Sequence, residues 1–162
     1  MADSVDFTQR WIFVAQALNQ PGTLTAAASV FSNRGVSLEG ILGSGIDTNT
    51  AEDGRVLFSF RATEPKKDLL LRSLQRLPNI LKVTAYAYED NRLRAVAIAK
   101  LNPTAQEHLH SHLDTLHTET IATEENAVLL LIVGNVSAVE NAIAHFRAQQ
   151  QLQDVTMSTI TV

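Results

Sequence analysis

The sequence Leu-Asn-Gln-Pro-Gly-Thr-Leu at residues 18–24 marks the point where a predicted strand runs into a predicted helix. The residues before it, 11–18, are β-prone, and apolar residues after it recur with the spacing of one buried helical face: Leu24, Ala27, Ala28 and Phe31. Pro21 suits the first position of this helix, and Gly22 has no Cβ, so a ligand or another backbone can approach it closely. The free N–H groups of a first helical turn attract a carboxylate or phosphate. The stretch is therefore a candidate anion site, with an ordinary strand–helix connection as the alternative.

Composition excludes several classes of protein. The chain has 162 residues, 45% of them hydrophobic and 19% charged, which is typical of a globular protein with a real core. A formal charge of −4 argues against nucleic acid or an anionic membrane as the main partner. Cysteine is absent, so disulfides, thiol nucleophiles and thiolate metal sites are excluded. Residues 1–6 lack the features of a signal peptide, and no apolar run reaches membrane-spanning length, so a cytoplasmic protein is expected.

The first half of the chain predicts the order β-α-β-β-α-β. Glycine or proline punctuates the connections, and Gly35 is placed to end the first helix as its C′ residue. The glycines of Gly43-Ser44-Gly45 indicate flexibility or a bulge in the second strand. The strands are predicted at residues 10–18, 36–46, 56–62 and 80–88, with helices from Pro21 and from residues 63–65.

The second half repeats the order of the first. Its strands are predicted at residues 93–101, 118–123, 127–133 and 154–162, with a helix opening at Asn102-Pro103 and carrying Leu109, Leu113 and Leu116. Ser137 and Glu140 form a predicted capping box for its last helix, whose buried stripe is Val139, Ala142, Ile143 and Phe146. Leu18-Asn19 and Leu101-Asn102 are predicted as equivalent points. The sequence thus indicates an α+β fold of two tandem ferredoxin-like units, at residues 9–90 and 91–162.

The first unit resembles an ACT domain, a small ligand-binding module of amino-acid metabolism. The residues that carry the resemblance are 18–24, the sequence Val-Phe-Ser-Asn-Arg-Gly at 30–35, and Ser37-Leu38-Glu39. The whole chain, with a degenerate ACT-like second unit, is similar to the regulatory small subunits of acetolactate (acetohydroxyacid) synthase. That resemblance implies a non-catalytic homodimer of edge-joined ACT sheets. It also implies a branched-chain amino acid, usually valine, bound at the dimer interface, and allosteric action on a separate catalytic subunit.

The same resemblance implies which residues bind the effector. Asn19 would contact it through the side-chain amide, and the backbone amides of Gly22, Thr23 and Leu24 would hold its carboxylate. Ser37 and Leu38 would come from the partner chain, with Ser37 standing where these small subunits usually carry asparagine. The predicted effector-binding set is Asn19, Gln20, Pro21, Gly22, Thr23, Leu24, Ser37 and Leu38. The alternative is an ACT-fold interaction protein that has lost its ligand.

The sequence supports a metal site, a catalytic site or an RNA-binding surface less well. His108 and His112 lie four residues apart, with His110 between them, but a third ligand at fixed spacing is missing, so no metal site or cofactor is predicted. No nucleophile elbow, phosphate loop or dinucleotide fingerprint is present, so an enzyme is the less favoured class. The same element order occurs in RNA-recognition modules, but the third strand lacks their aromatic motif, and Phe58 and Phe60 are predicted as core residues.

Overall fold

The computed structural model describes residues 7–45, 54–104 and 115–161 of the chain. They belong to two compact units, the first ending at Tyr88 and the second comprising Glu89–Thr161. Of the helices in these ranges, none combines the length and apolarity needed to cross a membrane.

The first unit has the predicted β-α-β-β-α-β order. Its elements are β1 (Gln9–Ala17), α1 (Thr23–Ser32), β2 (Leu38–Gly45), β3 (Gly54–Ala62), α2 (Glu64–Leu74) and β4 (Ile80–Ala87). The four strands form one antiparallel sheet in the order β2-β3-β1-β4, which leaves β2 and β4 at its edges. This is the ferredoxin-like arrangement that the sequence predicted.

An aromatic cluster forms the core between this sheet and its helices. Phe13, Phe31, Phe58 and Phe60 are all fully buried. The ring of Phe31 on α1 lies 5.1 Å from those of both Phe58 and Phe60, at angles that avoid face-to-face stacking. The prediction that Phe58 and Phe60 are core residues, rather than a platform for bases, is confirmed.

The buried face of helix α1 differs from its prediction, whereas its C-terminal end does not. Its buried residues are Thr23, Ala27, Val30 and Phe31, whereas Leu24 is 45% exposed, so the stripe is rotated away from Leu24. As predicted, Gly35 is the C′ residue that terminates the helix, and its φ of 64° lies in the left-handed region. The Val36 N–H donates to the Phe31 carbonyl and the Gly35 N–H to the Ser32 carbonyl, which is the Schellman pattern.

The prediction of a bulge at Gly43-Ser44-Gly45 is wrong, because the bulge of β2 lies elsewhere. These residues pair regularly with β3, and the irregularity lies between Leu38 and Gly40, where Glu39 is the extra residue. The Glu39 carboxylate is held by Arg10 at 3.0 Å and Arg61 at 2.6 Å. Ion pairs at an exposed surface contribute little stability, so this one serves mainly to orient the start of β2.

The second unit repeats the strand order. Its described elements are β5 (Arg94–Leu101), β6 (His117–Glu124), β7 (Ala127–Gly134), α3 (Val136–Ala148) and β8 (Leu152–Ile160), and its sheet order is β6-β7-β5-β8. Most of the predicted helix, with Leu109 and Leu113, falls on residues 105–114, outside the described ranges, whereas Leu116 lies in a bend directly before β6, so its placement in a helix is wrong. Helix α3 buries the predicted stripe Val139, Ala142, Ile143 and Phe146.

The predicted capping box of α3 is wrong. The cap is Asn135, whose Oδ1 accepts hydrogen bonds from the Ser137 N–H at 3.0 Å and the Ser137 hydroxyl at 2.7 Å. Ser137 therefore lies inside the first turn. Asparagine and serine both cap helices well, so a sequence that contains both residues this close together does not fix which one acts.

The predicted equivalence of the two units is shifted by one residue. Ala17 pairs with Ile80, and the next amide, of Leu18, donates to the Asn79 carbonyl at 2.8 Å. In the second unit Leu101 pairs with Leu152, and the next amide, of Asn102, donates to the Gln151 carbonyl at 2.8 Å. Asn102 therefore corresponds to Leu18 rather than to Asn19.

Candidate functional site

Residues 20–23 form a tight turn between β1 and α1. The Thr23 N–H donates to the Gln20 carbonyl at 3.2 Å, and Gly22 has φ 84° and ψ −14°. These angles belong to the third position of a type II turn, for which proline is favoured at the second position and glycine at the third. Pro21 is therefore the first central residue of a turn, and the prediction that it begins the helix is wrong, because α1 starts at Thr23.

Gly22 is required for its backbone conformation. A Cβ built on it would meet no atom of the described chain within 4 Å, so no other backbone approaches Gly22 closely, and the approach of a ligand stays a prediction. An L-residue in the left-handed region costs about 1–2 kcal/mol, which is the physical reason for glycine here. Among the described residues, no atom fills the space next to Gly22, so they leave the first turn of α1 accessible there.

Asn79, which precedes β4, holds the turn in place. Its carbonyl accepts from the Leu18 N–H at 2.8 Å, and its side-chain Nδ2 donates to the Thr23 Oγ1 at 3.1 Å. Thr23 is only 5% exposed, so this hydrogen bond is largely shielded from water. Asn79 thus fixes the turn at two points. No local pattern in the sequence indicates this role, because the contact spans 56 residues.

A pocket of about 250 Å³ opens beside the turn. One wall comes from the turn and the start of α1, and the other from the ends of β2 and β3. Its lining residues are Ala17, Leu18, Asn19, Gln20, Thr23, Leu24, Gly43, Ser44, Gly45, Gly54, Arg55 and Val56. Four of the predicted effector-binding residues, Asn19, Gln20, Thr23 and Leu24, therefore share one pocket, and Pro21 and Gly22 belong to the turn beside it.

Three glycines form the floor of the pocket. Gly45 pairs with Gly54, Gly54 pairs with Ala17, and Gly43 pairs with Val56 of the helix-facing core. A Cβ on Gly45 would lie 3.0 Å from the Asn19 Nδ2, and one on Gly54 would lie 2.7 Å from the Ala17 carbonyl oxygen. Glycine at these two positions lets the Asn19 side chain and the end of β1 lie against the sheet. From the sequence, Gly43 and Gly45 are predicted only to give flexibility or a bulge, and this role is not indicated.

The backbone donors at the turn are not equivalent. Of the three amides assigned to the effector, that of Thr23 already donates to Gln20 within the turn. Leu24 lies in the first turn of α1, where an N–H has no acceptor inside the helix. The first intrahelical bond runs from the Ala26 N–H to the Gly22 carbonyl at 2.9 Å. The positive end of α1, with the Leu24 amide as a donor outside the intrahelical bonds, therefore lies at this turn.

Ser37 and Leu38 lie at the other end of β2. Leu38 pairs with Phe60, whereas Gly45 pairs with Gly54, and the length of strand between them is about 23 Å. Ser37 lines a separate pocket of about 290 Å³ that also contains Glu39, Arg61 and Lys66. A single protomer therefore does not bring Ser37 and Leu38 together with Asn19.

The described ranges contain no group of three side chains able to hold a metal ion. The histidines considered from the sequence, His108, His110 and His112, lie outside those ranges.

Comparison with known proteins places the fold. No protein-family model matches the sequence, and no curated protein matches it. Among solved structures, the acetolactate synthase small subunit from Thermotoga maritima superposes with a TM-score of 0.71 at 16% identity, covering 96% of this chain and 98% of that chain. The ligand-free regulatory subunit of aspartate kinase from Thermus thermophilus gives a TM-score of 0.46 at 14% identity, covering 86% of this chain and 92% of that chain.

The chain therefore consists of two tandem ferredoxin-like units with the ACT fold. Over nearly its whole length, it has the fold of an acetolactate synthase small subunit. The resemblance stated from the sequence is confirmed at the level of the fold.

Proposed function

We propose that this chain is a non-catalytic regulatory protein that binds a small amino acid of the branched-chain, valine-like type. The enzyme that it regulates is acetolactate synthase or a related enzyme of amino-acid metabolism. The observation that carries the proposal is the open pocket between the Pro21-Gly22 turn and the glycine floor of β2 and β3. The likeness of the fold to the acetolactate synthase small subunit from Thermotoga maritima supports the choice of enzyme.

The chemistry of the pocket suits an amino acid. The effector carboxylate binds at the N-terminus of α1, where the Leu24 amide and the helix dipole favour a negative charge. Asn19 lies at the pocket rim, and its amide offers both donor and acceptor atoms to the carboxylate and ammonium groups. Leu24 and Val56 provide apolar contact for the effector side chain.

A homodimer completes the site. Strand β2 is at the edge of its sheet and is mostly exposed, so its outer hydrogen-bonding groups are available to a second copy. An antiparallel pairing of two β2 strands brings the Leu38 end of one strand beside the Gly45 end of the other. The partner subunit's Ser37 and the partner subunit's Leu38 then lie beside this pocket, which explains why one protomer separates them from Asn19.

Regulation follows from thermodynamic linkage between effector binding and the arrangement of the dimer. An effector that contacts both protomers stabilises the dimer arrangement to which it binds best, and shifts the population towards it. A catalytic subunit that binds this arrangement preferentially responds to the effector without any reaction occurring on the regulatory chain.

Isothermal titration calorimetry with the twenty amino acids tests the proposal. We expect one branched-chain amino acid to bind selectively, and a ligand at 100 times its Kd to stabilise the protein by about 2.7 kcal/mol. The Asn19→Asp variant places a like charge beside the carboxylate and should weaken binding at least about tenfold. Asn33→Asp makes the same charge change at the far end of α1 and serves as the matched control.

Two results would contradict the proposal. The first is effector affinity that falls equally in Asn19→Asp and Asn33→Asp. The second is the absence of binding by all twenty amino acids, which would instead favour an ACT-fold interaction protein without a ligand. For the target, we expect the chain to change the activity of an isolated acetolactate synthase catalytic subunit, and the effector to modify that change.

A further inference from the structure

Gly43 differs from the other two glycines of the pocket floor. A Cβ on Gly45 or Gly54 would press against Asn19 or the end of β1, so these glycines accommodate the protein itself. A Cβ on Gly43 would meet nothing within 4 Å. The φ of Gly43 is not positive, since only Gly22 and Gly35 have positive φ among the described glycines. Neither crowding nor backbone conformation therefore requires glycine at position 43.

The space above Gly43 belongs to the pocket. Gly43 pairs with Val56, a member of the helix-facing core, so a side chain at 43 would project to the same face as Val56. That face carries Leu24 and Thr23 of α1 on the opposite wall of the pocket. Each added carbon at position 43 would therefore take volume from the ligand.

The pocket is large for the smallest branched-chain amino acid. Its volume of about 250 Å³ exceeds that of a cavity of about 150 Å³ that accommodates benzene. Even after the carboxylate and ammonium groups are placed near the rim, there is room for a side chain that extends across the floor.

We propose that Gly43 determines the size of the effector. The bare backbone at this position leaves room for a side chain longer than that of valine, so leucine is the preferred ligand. This inference rests on the proposed function, because it specifies the ligand of the same pocket. A larger residue at position 43 converts the pocket to one for smaller amino acids.

The test compares the Kd values of leucine and valine for the wild type, Gly43→Ala and Gly43→Val. The wild type should prefer leucine by at least about fourfold, the effect of burying one additional methylene group. Gly43→Val should weaken leucine binding at least about tenfold through overpacking and affect valine less, which reverses the preference. Gly43→Ala, a milder change, should give an intermediate ratio and keeps the test decisive if Gly43→Val does not fold.

Ile41→Val is the matched control. Ile41 is on the same strand and pairs with Phe58, so it shares the face of Gly43, but it lies outside the pocket lining. The ratio of the Kd values of leucine and valine for this variant should equal that of the wild type. Circular dichroism and thermal unfolding without ligand confirm that each variant is folded.

Two outcomes overturn the inference and leave the proposed function intact. One is a wild type that prefers valine or binds both amino acids equally, and the other is equal weakening of both ligands by substitution of Gly43. Binding of no amino acid to the wild type is a different result, which overturns the proposed function together with this inference.

Discussion

The two units of this protein carry the same strand order but differ at the end of their first strand. In the first unit, the turn at residues 18–24 faces a pocket. In the second unit, the side chain of Asn102 at the corresponding position is hydrogen-bonded within the unit. The Asn102 Nδ2 donates to the Gln150 carbonyl at 3.0 Å, and its Oδ1 accepts from the Gln153 Nε2 at 2.8 Å. Gln153 Nε2 also donates to the Asn126 carbonyl at 2.8 Å.

The cross-strand row at the end of each sheet explains the difference. In the first unit this row consists of Ala17, Gly54 and Gly45, and in the second it consists of Leu101, Val128 and Thr123. Both Leu101 and Val128 are almost completely buried. The two units therefore share their backbone topology. They differ in this row, which has only one Cβ in the first unit and three larger side chains in the second.

The largest effect should come from Gly22, on which the open turn depends. We expect Gly22→Ala to lower the free energy of unfolding of the first unit by about 1–2 kcal/mol, because alanine is strained at a φ of 84°. Gly43→Ala is the matched control at the same pocket and should be neutral or slightly stabilising. Urea unfolding followed by the fluorescence of Trp11, the single tryptophan, reports on this unit. Equal destabilisation by the two substitutions would contradict the assigned role of Gly22.

A smaller effect is expected from Asn79, which anchors the first turn. Asn79→Ala removes the hydrogen bond to the Thr23 Oγ1 and should lower the unfolding free energy by about 1 kcal/mol. A double-mutant cycle with Thr23→Val, measured by the same fluorescence assay, isolates the interaction. The two changes should be non-additive by a similar amount. Strict additivity would show that the bond does not stabilise the turn.

The smallest expected change in stability concerns Asn19 and Asn102, which the sequence predicts to be equivalent. Asn102→Ala breaks two partly solvated hydrogen bonds and should lower the stability of the second unit by about 0.5 kcal/mol. Asn19→Ala should change stability within about 0.5 kcal/mol but weaken effector binding, because Asn19 is exposed at the pocket. Hydrogen exchange of peptides from β5 and β8 measures the first effect, and calorimetry measures the second. A loss of exchange protection in β5 from Asn19→Ala would contradict this division of roles.

Much of the fold was predictable because it depends on local patterns. Alternation and helical spacing identified the two β-α-β-β-α-β units, and Phe58 and Phe60 were correctly placed in the core. Gly35 was correctly predicted to end α1, since a left-handed residue after a helix favours glycine. The start of α1 was wrong because Pro-Gly suits both a helix start and a type II turn, and only the hydrogen bond from Thr23 to Gln20 distinguishes them.

The candidate site was only partly predictable, because its second wall comes from distant residues. The stretch at 18–24 was identified directly, but Asn79 and the glycine floor were not. A glycine in a strand has several possible roles, and the sequence does not indicate which residue lies above it. Whether Ser37 and Leu38 join the site depends on a second copy of the chain, which one sequence does not specify.

The sequence by itself determined which segments become strands and helices and where the chain turns, since these properties follow from side-chain spacing and from the backbone preferences of glycine and proline. Only the tertiary structure decided that Asn79 hydrogen-bonds to Thr23 at the first turn. It also decided that Gly45 and Gly54 leave space for Asn19 and the end of β1, and that no described side chain lies against Gly43. These contacts join residues far apart in the chain. Their distances are set by strand register and packing rather than by neighbouring residues.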